Sequence, residues 1–147
     1  MPQLISVKAK WKWSKELEKF FIKKNHSLSL HVCSGMSLIG DIRVDLDTSS
    51  KANIIADMFH LPFKKEVFNT IICDPPYKLA YHKRLQFLYP LSDLLKCNGR
   101  LIIKINWIPR IKGLKRIGIW LYEGARYWSN LGVIIEYIKN QSTLDGL

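Results

Sequence analysis

Apolar positions follow helical spacing near the start of the chain and then gather into short runs. Between residues 13 and 24, Trp13, Leu17, Phe20 and Phe21 fall on one stripe. Ser14 is a candidate N-cap and Asn25 a candidate stop, so this segment predicts an amphipathic helix. Residues 28–32 run apolar and predict a first strand. Cys33-Ser34-Gly35-Met36-Ser37 reads as a loop. Strands are expected over 41–44, over 52–56 ending at Asp57, and over 68–73, with a turn at Leu61-Pro62-Phe63. Leu85, Leu88, Leu91 and Leu95 give helical periodicity over 84–96, which Asn98-Gly99 would terminate. Further strands are expected over 101–105, 116–122 and 131–138, the last two joined near Glu123-Gly124 or Ser129-Asn130. Helices and strands alternate early and strands dominate late. That rhythm predicts one α/β domain with a largely parallel sheet and an antiparallel closing hairpin.

Composition narrows the class. The chain has 147 residues, enough for a real core, and 48% are hydrophobic, which argues against a disordered tail. No apolar stretch approaches a membrane span and no charged-then-apolar leader precedes the first helix, so a soluble, cytoplasmic protein is expected. Cys33, Cys73 and Cys97 are odd in number and widely spaced, with no ligand-like pairing, so neither a disulfide framework nor a metal site is expected.

Charge changes the picture more. The formal net charge is +11, and no acid lies between Asp93 and Glu123, where Lys96, Arg100, Lys104, Arg110, Lys112, Lys115 and Arg116 all fall. A surface that was merely rich in lysine would mix signs. The segregation points to a polyanionic partner, nucleic acid first.

The sharpest chemical feature is Asp74-Pro75-Pro76-Tyr77, directly after the apolar run 68–73. Open α/β sheets keep their sites at such strand ends. The prolines fix the turn and hold the Pro75 carbonyl rigid. A carboxylate, a fixed carbonyl and a stacking ring together suit a planar group that carries an amine. A proline turn with Tyr77 simply packing is the other reading of the four residues.

This tetrapeptide resembles the catalytic motif of the S-adenosylmethionine-dependent amino-methyltransferases, which methylate exocyclic amines of bases. The resemblance covers roughly residues 28–138 and is sharpest over 52–77. It implies a class I, Rossmann-like sheet of seven strands, mostly parallel, while the length predicts a single domain over residues 1–147 with 13–24 as its N-terminal helix. It further implies that Asp74 and the Pro75 carbonyl accept the amine's hydrogen bonds and that Tyr77 stacks on the base beside Pro76. Positioning and preorganised acceptors then free the nitrogen lone pair for the methyl group. Adenine is the first expectation. The stretch before Asp74 also resembles enzymes that methylate the guanine amine of transfer RNA. Protein-glutamine methyltransferases, which commonly begin the motif with Asn, fit less well.

On the cofactor side, Gly35 with Ser37 looks like the family's glycine-rich loop, alongside Cys33. Asp45 takes the place of the ribose-binding acid, with Asp47 as an alternate. Asp57, with Met58 behind it, takes the place of the adenine-binding acid. Two departures stand out. His31-Val32-Cys33-Ser34 carries no carboxylate where the family usually has one. Only nine residues separate Gly35 from Asp45, whereas a parallel crossover normally needs a dozen or more, so the first crossover helix is expected to be shortened or missing. The pocket would then be completed by the N-terminal helix or a second subunit, or the domain would be a degenerate nucleic-acid-binding module.

For the substrate, Trp107, Arg110 and Lys112 form a basic, aromatic loop after the fifth strand, and Tyr81, His82, Lys83 and Arg84 follow the motif. Lys8, Lys10, Trp11, Lys12 and Trp13 interleave charge and ring similarly, though Trp11 and Trp13 read first as packing residues. Target recognition is expected from loops, substrate shape, a homodimer or a partner protein, on DNA or RNA.

Overall fold

A computed structural model describes residues 13–75, 86–105, 107–123 and 131–141. Helix α1 (Lys15–Lys24) precedes strands β1 (Ser29–Val32), β2 (Ile42–Asp45), β3 (Ile54–Ile55) and β4 (Phe68–Cys73). Helix α2 (Leu88–Leu94) and strands β5 (Leu95–Ile105), β6 (Leu114–Glu123) and β7 (Leu131–Lys139) complete it. All seven strands join one sheet in the order β3-β2-β1-β4-β5-β7-β6. β1 to β5 run parallel, and β7 lies antiparallel between β5 and β6. The expected mixed sheet and closing hairpin are therefore present.

Strand alternation sends side chains to two faces. One face carries Leu30, Val32, Ile71, Cys73, Leu101, Ile103, Ile135 and Tyr137, covered by α2 and the loops around Met58 and Phe63. The other carries Ile72, Ile102 and Ile134, covered by Phe21 of α1. Helix α1 begins as expected: the Ser14 hydroxyl accepts from the Leu17 amide at 3.3 Å. Its last turn is clamped to the sheet. Buried Glu136 of β7 accepts from Lys24 at 2.7 Å and from Arg100 of β5 at 2.8 Å.

The first crossover has no helix. Residues 33–41 form a loop, with the Ser37 amide on the Ser34 carbonyl at 3.0 Å. An open groove of about 840 Å³ lies beside that loop, lined by Ile22 and Glu18 of α1 and by Met36, Leu38, Ile39 and Lys51. The shortening read from the spacing is real.

Four expectations need correction. The helix expected over 84–96 spans only Leu88–Leu94 among the described residues. Pro90 lacks an amide hydrogen and is tolerated only in a first turn, so the helix starts late. Leu95 leaves it to pair with Phe68. Asn98-Gly99 is not a helix terminator but part of a bulge in β5. Phe68 pairs with Leu95 and Thr70 with Arg100, so residues 96–99 are extruded. Gly99 is required there, because a Cβ would lie 2.7 Å from the Lys96 carbonyl oxygen. The strand expected over 52–56 is two residues long, although Asn53 and Ala56 still donate to the Arg43 and Asp45 carbonyls. The turn expected at 61–63 falls at 65–66, with Glu66 at φ 55°. The expected β6–β7 turn lies almost wholly outside the described residues.

Candidate active site

Three acids reach one edge of the sheet. Asp45 is the last residue of β2, Asp57 follows β3 by two residues, and Asp74 follows β4 directly. Val32 pairs with both Val44 and Cys73, so these strands end level. Carboxyl ends of parallel strands are where this sheet type binds ligands.

On the β1–β2 side, Cys33 and Gly35 have φ of 58° and 53°, which folds the loop tightly back over the strand ends. The Gly35 amide donates to Asp45 Oδ2 at 2.7 Å and the Asp47 amide to Asp45 Oδ1 at 2.9 Å. The Lys51 amide donates to the Gly35 carbonyl at 2.8 Å. Asp45 is thereby fixed against the loop, while each oxygen keeps a second acceptor site. Asp57 accepts from the Phe59 amide at 2.9 Å and is half-exposed. Ser37 is buried and accepts from the Ile39 amide at 3.1 Å. Met58 is buried, with its sulfur 3.6 Å from Cys33 Sγ. Burial above all, then the neighbouring Cys33 thiol and the charge of Asp74, pushes the Cys73 thiol well up. The loop and its acids fit a ribose-bearing cofactor. The strand-end position where the resembled family has an acid holds a thiol instead.

Asp74 is not the open acceptor that its motif implies. Its side chain is only 10% exposed. The Trp13 indole N–H donates to Oδ2 at 2.7 Å, and Lys104 Nζ of β5 lies 3.3 Å from Oδ1. Burial raises the Asp74 pKa, and the Lys104 charge and the hydrogen bonds from Trp13 and Lys104 partly offset that rise. Trp13 stacks on Phe21, with centroids 4.1 Å apart, and on His31 at 5.0 Å. His31 is fully buried and its Nδ1 donates to the Ile39 carbonyl at 3.0 Å. Burial, against the pull of that bond, lowers its pKa to about 4, so the ring is neutral.

Pro75 is buried. Pro76, Tyr77, Tyr81, His82, Lys83, Arg84 and residues 1–12 lie outside the described residues. Trp107 packs against the main core, and its indole nitrogen is buried with no hydrogen-bond partner among the described residues. Arg110 and Lys112 are exposed on either side of buried Ile111. The loop that carries them is pinned by the Tyr137 hydroxyl, which donates to the Pro109 carbonyl at 2.6 Å. Burial pushes that hydroxyl's pKa up to about 12.

Sequence reasoning missed Lys104 and His31 as members of the site, and read Trp13 first as packing and only second as a base contact. One signal was present. Lys104 interrupts an apolar strand run, Leu101 to Ile105, and His31 does the same in β1. A polar residue inside a buried strand calls for a partner.

No protein-family model matches the chain, and no curated protein matches it in sequence. Solved structures do match in shape. TrmN from Thermus thermophilus is 17% identical, with a TM-score of 0.62 over 84% of this chain and 48% of its own, so this chain spans about half that protein's length. The N-methyltransferase NodS from Bradyrhizobium japonicum WM9, in complex with S-adenosyl-L-homocysteine, is 9% identical, with a TM-score of 0.67 over 84% of this chain and 86% of its own. The [4+2]-cyclase SpnF is 9% identical, with a TM-score of 0.65 over 85% of this chain and 80% of its own. The last case shows the architecture under a different reaction, so likeness at these identities carries the fold and not the chemistry. The chain has the class I S-adenosylmethionine-dependent methyltransferase fold, with its first crossover reduced to a loop.

Proposed function

We propose that this protein is an S-adenosylmethionine-dependent methyltransferase acting on an exocyclic base amine of nucleic acid, adenine N6 of DNA or RNA first. The observation that carries the reading is the position of Asp74, the first residue of Asp74-Pro75-Pro76-Tyr77. It lies at the carboxyl end of β4, on the same edge as Asp45 and the Gly35 loop. On this reading Asp45 holds the cofactor's ribose, Asp57 its adenine amine, and Cys33, Gly35, Ser37 and Met58 line the pocket. The cofactor, when bound, supplies the electrophilic methyl group. Asp74 and the Pro75 carbonyl draw the amine's hydrogens to one side, Tyr77 supports the base, and Arg110 and Lys112 meet the phosphates with Trp107 beside them. No metal and no covalent enzyme intermediate is needed. Target recognition falls to the loops, a second copy or a partner protein.

One observation favours a second reading, a nucleic-acid-binding module without turnover: both Asp74 oxygens already have donors. The test separates the two. The protein is incubated with methyl-labelled cofactor and separate pools of DNA, transfer RNA and ribosomal RNA, followed by nucleoside mass spectrometry. Label in methyladenine that disappears in Asp74→Ala is expected. Label in methylguanine moves the target to RNA guanine. No calorimetric cofactor binding at millimolar concentration, with nucleic acid still bound, selects the binding module, whereas cofactor binding weakened by Asp45→Ala with no label points to a missing partner or a dead enzyme.

A further inference from the structure

The donor on Asp74 Oδ2 is itself a flat aromatic ring bearing an N–H. This is the chemistry the proposed substrate would present to the same oxygen. We propose that the Trp13 indole is a built-in occupant of the substrate's amine seat, and that a planar base reaches Asp74 only when Trp13 turns out of it. The inference rests on the reading of Asp74 as the amine acceptor.

Three features support an exchangeable occupant rather than a fixed strut. First, the contact has the full geometry of recognition. The indole nitrogen is 2.7 Å from the carboxylate, and the ring lies nearly parallel to Phe21 and His31, at interplanar angles of 20° and 27°. These two rings make a seat for a flat group, and His31 brings no charge to it. Second, the two groups on Asp74 differ in freedom. Lys104 is fixed in the middle of the sheet on β5, flanked by buried Ile103 and Ile105. Trp13 precedes the N-cap Ser14 and so stands outside the helix's hydrogen-bond ladder. Third, α1 has anchors besides Trp13: Phe21 packs on Ile72, Ile102 and Ile134, and at the far end of the helix Lys24 pairs with Glu136. Trp13 can therefore leave by rotation about its own backbone while the helix stays docked.

With Trp13 in place the acceptor is satisfied and largely shielded from solvent. With Trp13 out, Oδ2 is free while Lys104 still neutralises the carboxylate. Substrate then competes with the indole, and its apparent affinity falls by the fraction of molecules in the open state. A hydrogen bond to a charged group is the main term to overcome. Removing only that bond should raise base affinity by about tenfold. The seat also selects chemistry, since only a flat ring that donates an N–H can replace what Trp13 provides.

The variant that isolates the bond is Trp13→Phe, which keeps a ring on Phe21 and His31 and deletes the N–H. The probes are a single-stranded oligodeoxyadenylate and an abasic oligonucleotide of equal length, with S-adenosylhomocysteine present. In nitrogen-15-labelled protein the Trp13 indole resonance is assigned by its loss in Trp13→Phe. The expected result is that the oligodeoxyadenylate shifts this resonance and speeds its hydrogen exchange, whereas the abasic strand does not. Trp13→Phe is expected to bind the oligodeoxyadenylate about tenfold more tightly than the parent, with abasic binding unchanged. An unmoved indole resonance while the base-bearing strand outbinds the abasic one would overturn the proposal. So would equal binding of the two strands, or a Trp13→Phe protein with no gain. Methyl transfer is scored separately. Indole displacement without transfer counts against the reaction and leaves the occupied seat standing.

Discussion

Glu136→Gln is the most informative perturbation of the scaffold, because one buried carboxylate ties three elements together. Glu136 of β7 is 2% exposed and receives Lys24 from α1 and Arg100 from β5, which are 27% and 44% exposed. Glutamine keeps the shape and removes the charge. Stranding a fully buried cation would cost about 3–5 kcal/mol, but both cations here can return to water, and Lys24 still has the Trp120 ring 4.4 Å below it. What disappears is the charged part of two hydrogen bonds, about 2–3 kcal/mol in all. With a urea slope of about 2 kcal/mol/M, the unfolding midpoint should fall by about 1 M. The pH dependence supplies the sharper test. Burial alone would raise the Glu136 pKa, but the hydrogen bonds from Lys24 and Arg100, and then their charges, hold it below the ordinary glutamate value. A depressed folded-state pKa means that the stabilisation is fully present above the unfolded value and is lost as pH falls through the folded one. Parent and Glu136→Gln should therefore differ most near neutrality and converge in acid. Equal midpoints at neutral pH, or a gap that persists in acid, would refute the assignment of the clamp as electrostatic.

Three further outcomes follow from local geometry. Gly99→Ala should lower stability by about 2 kcal/mol or more in urea melts, since its Cβ meets the backbone oxygen of Lys96 at 2.7 Å and backbone cannot step aside. His31, with its pKa lowered to about 4 chiefly by burial, opposes acid. From about pH 6.5 downward the unfolded chain binds a proton that the folded one refuses, so stability should drop by up to about 3 kcal/mol by pH 4, and His31→Gln should flatten that slope. Charge reversal at exposed Arg110 and Lys112 should weaken DNA or RNA binding and shallow its salt dependence by about two counterions, read from filter binding across salt concentrations. An unchanged slope would remove this loop from the interface.

Much of the architecture was legible because it depends on short-range patterning. The largely apolar run 68–73 became β4 with the same ends, and the final hairpin fell within two residues of its expected limits. The missing first crossover was legible as arithmetic: nine residues cannot hold a helix between parallel strands. The errors came where one spacing serves two structures. Leu88, Leu91 and Leu95 obey helical periodicity, yet Leu95 is buried by pairing with Phe68, a partner 27 positions away in the chain. Asn98-Gly99 has the same appearance whether it ends a helix or turns a bulge, because both use a positive φ at Asn98, here 61°.

The candidate site divides in the same way. The strand-end acids could be read because each directly follows an apolar run, so their placement needed only the strand rhythm. Their environment could not be read, since it depends on which helix covers which face. Helix α1 covers the sheet face that carries Ile72, Ile102 and Ile134, and Trp13, just ahead of its N-cap, lands on Asp74. The carboxylate that reads from the motif as an open acceptor is thus closed by a tryptophan 61 positions earlier in the chain. From the α1 side Trp13 helps to keep Asp74 from water, while the pairing with Lys104 comes from the sheet itself. Lys104 is 4% exposed and 3.3 Å from Asp74, so a charge that would be costly inside an apolar strand is offset by the same carboxylate that Trp13 covers.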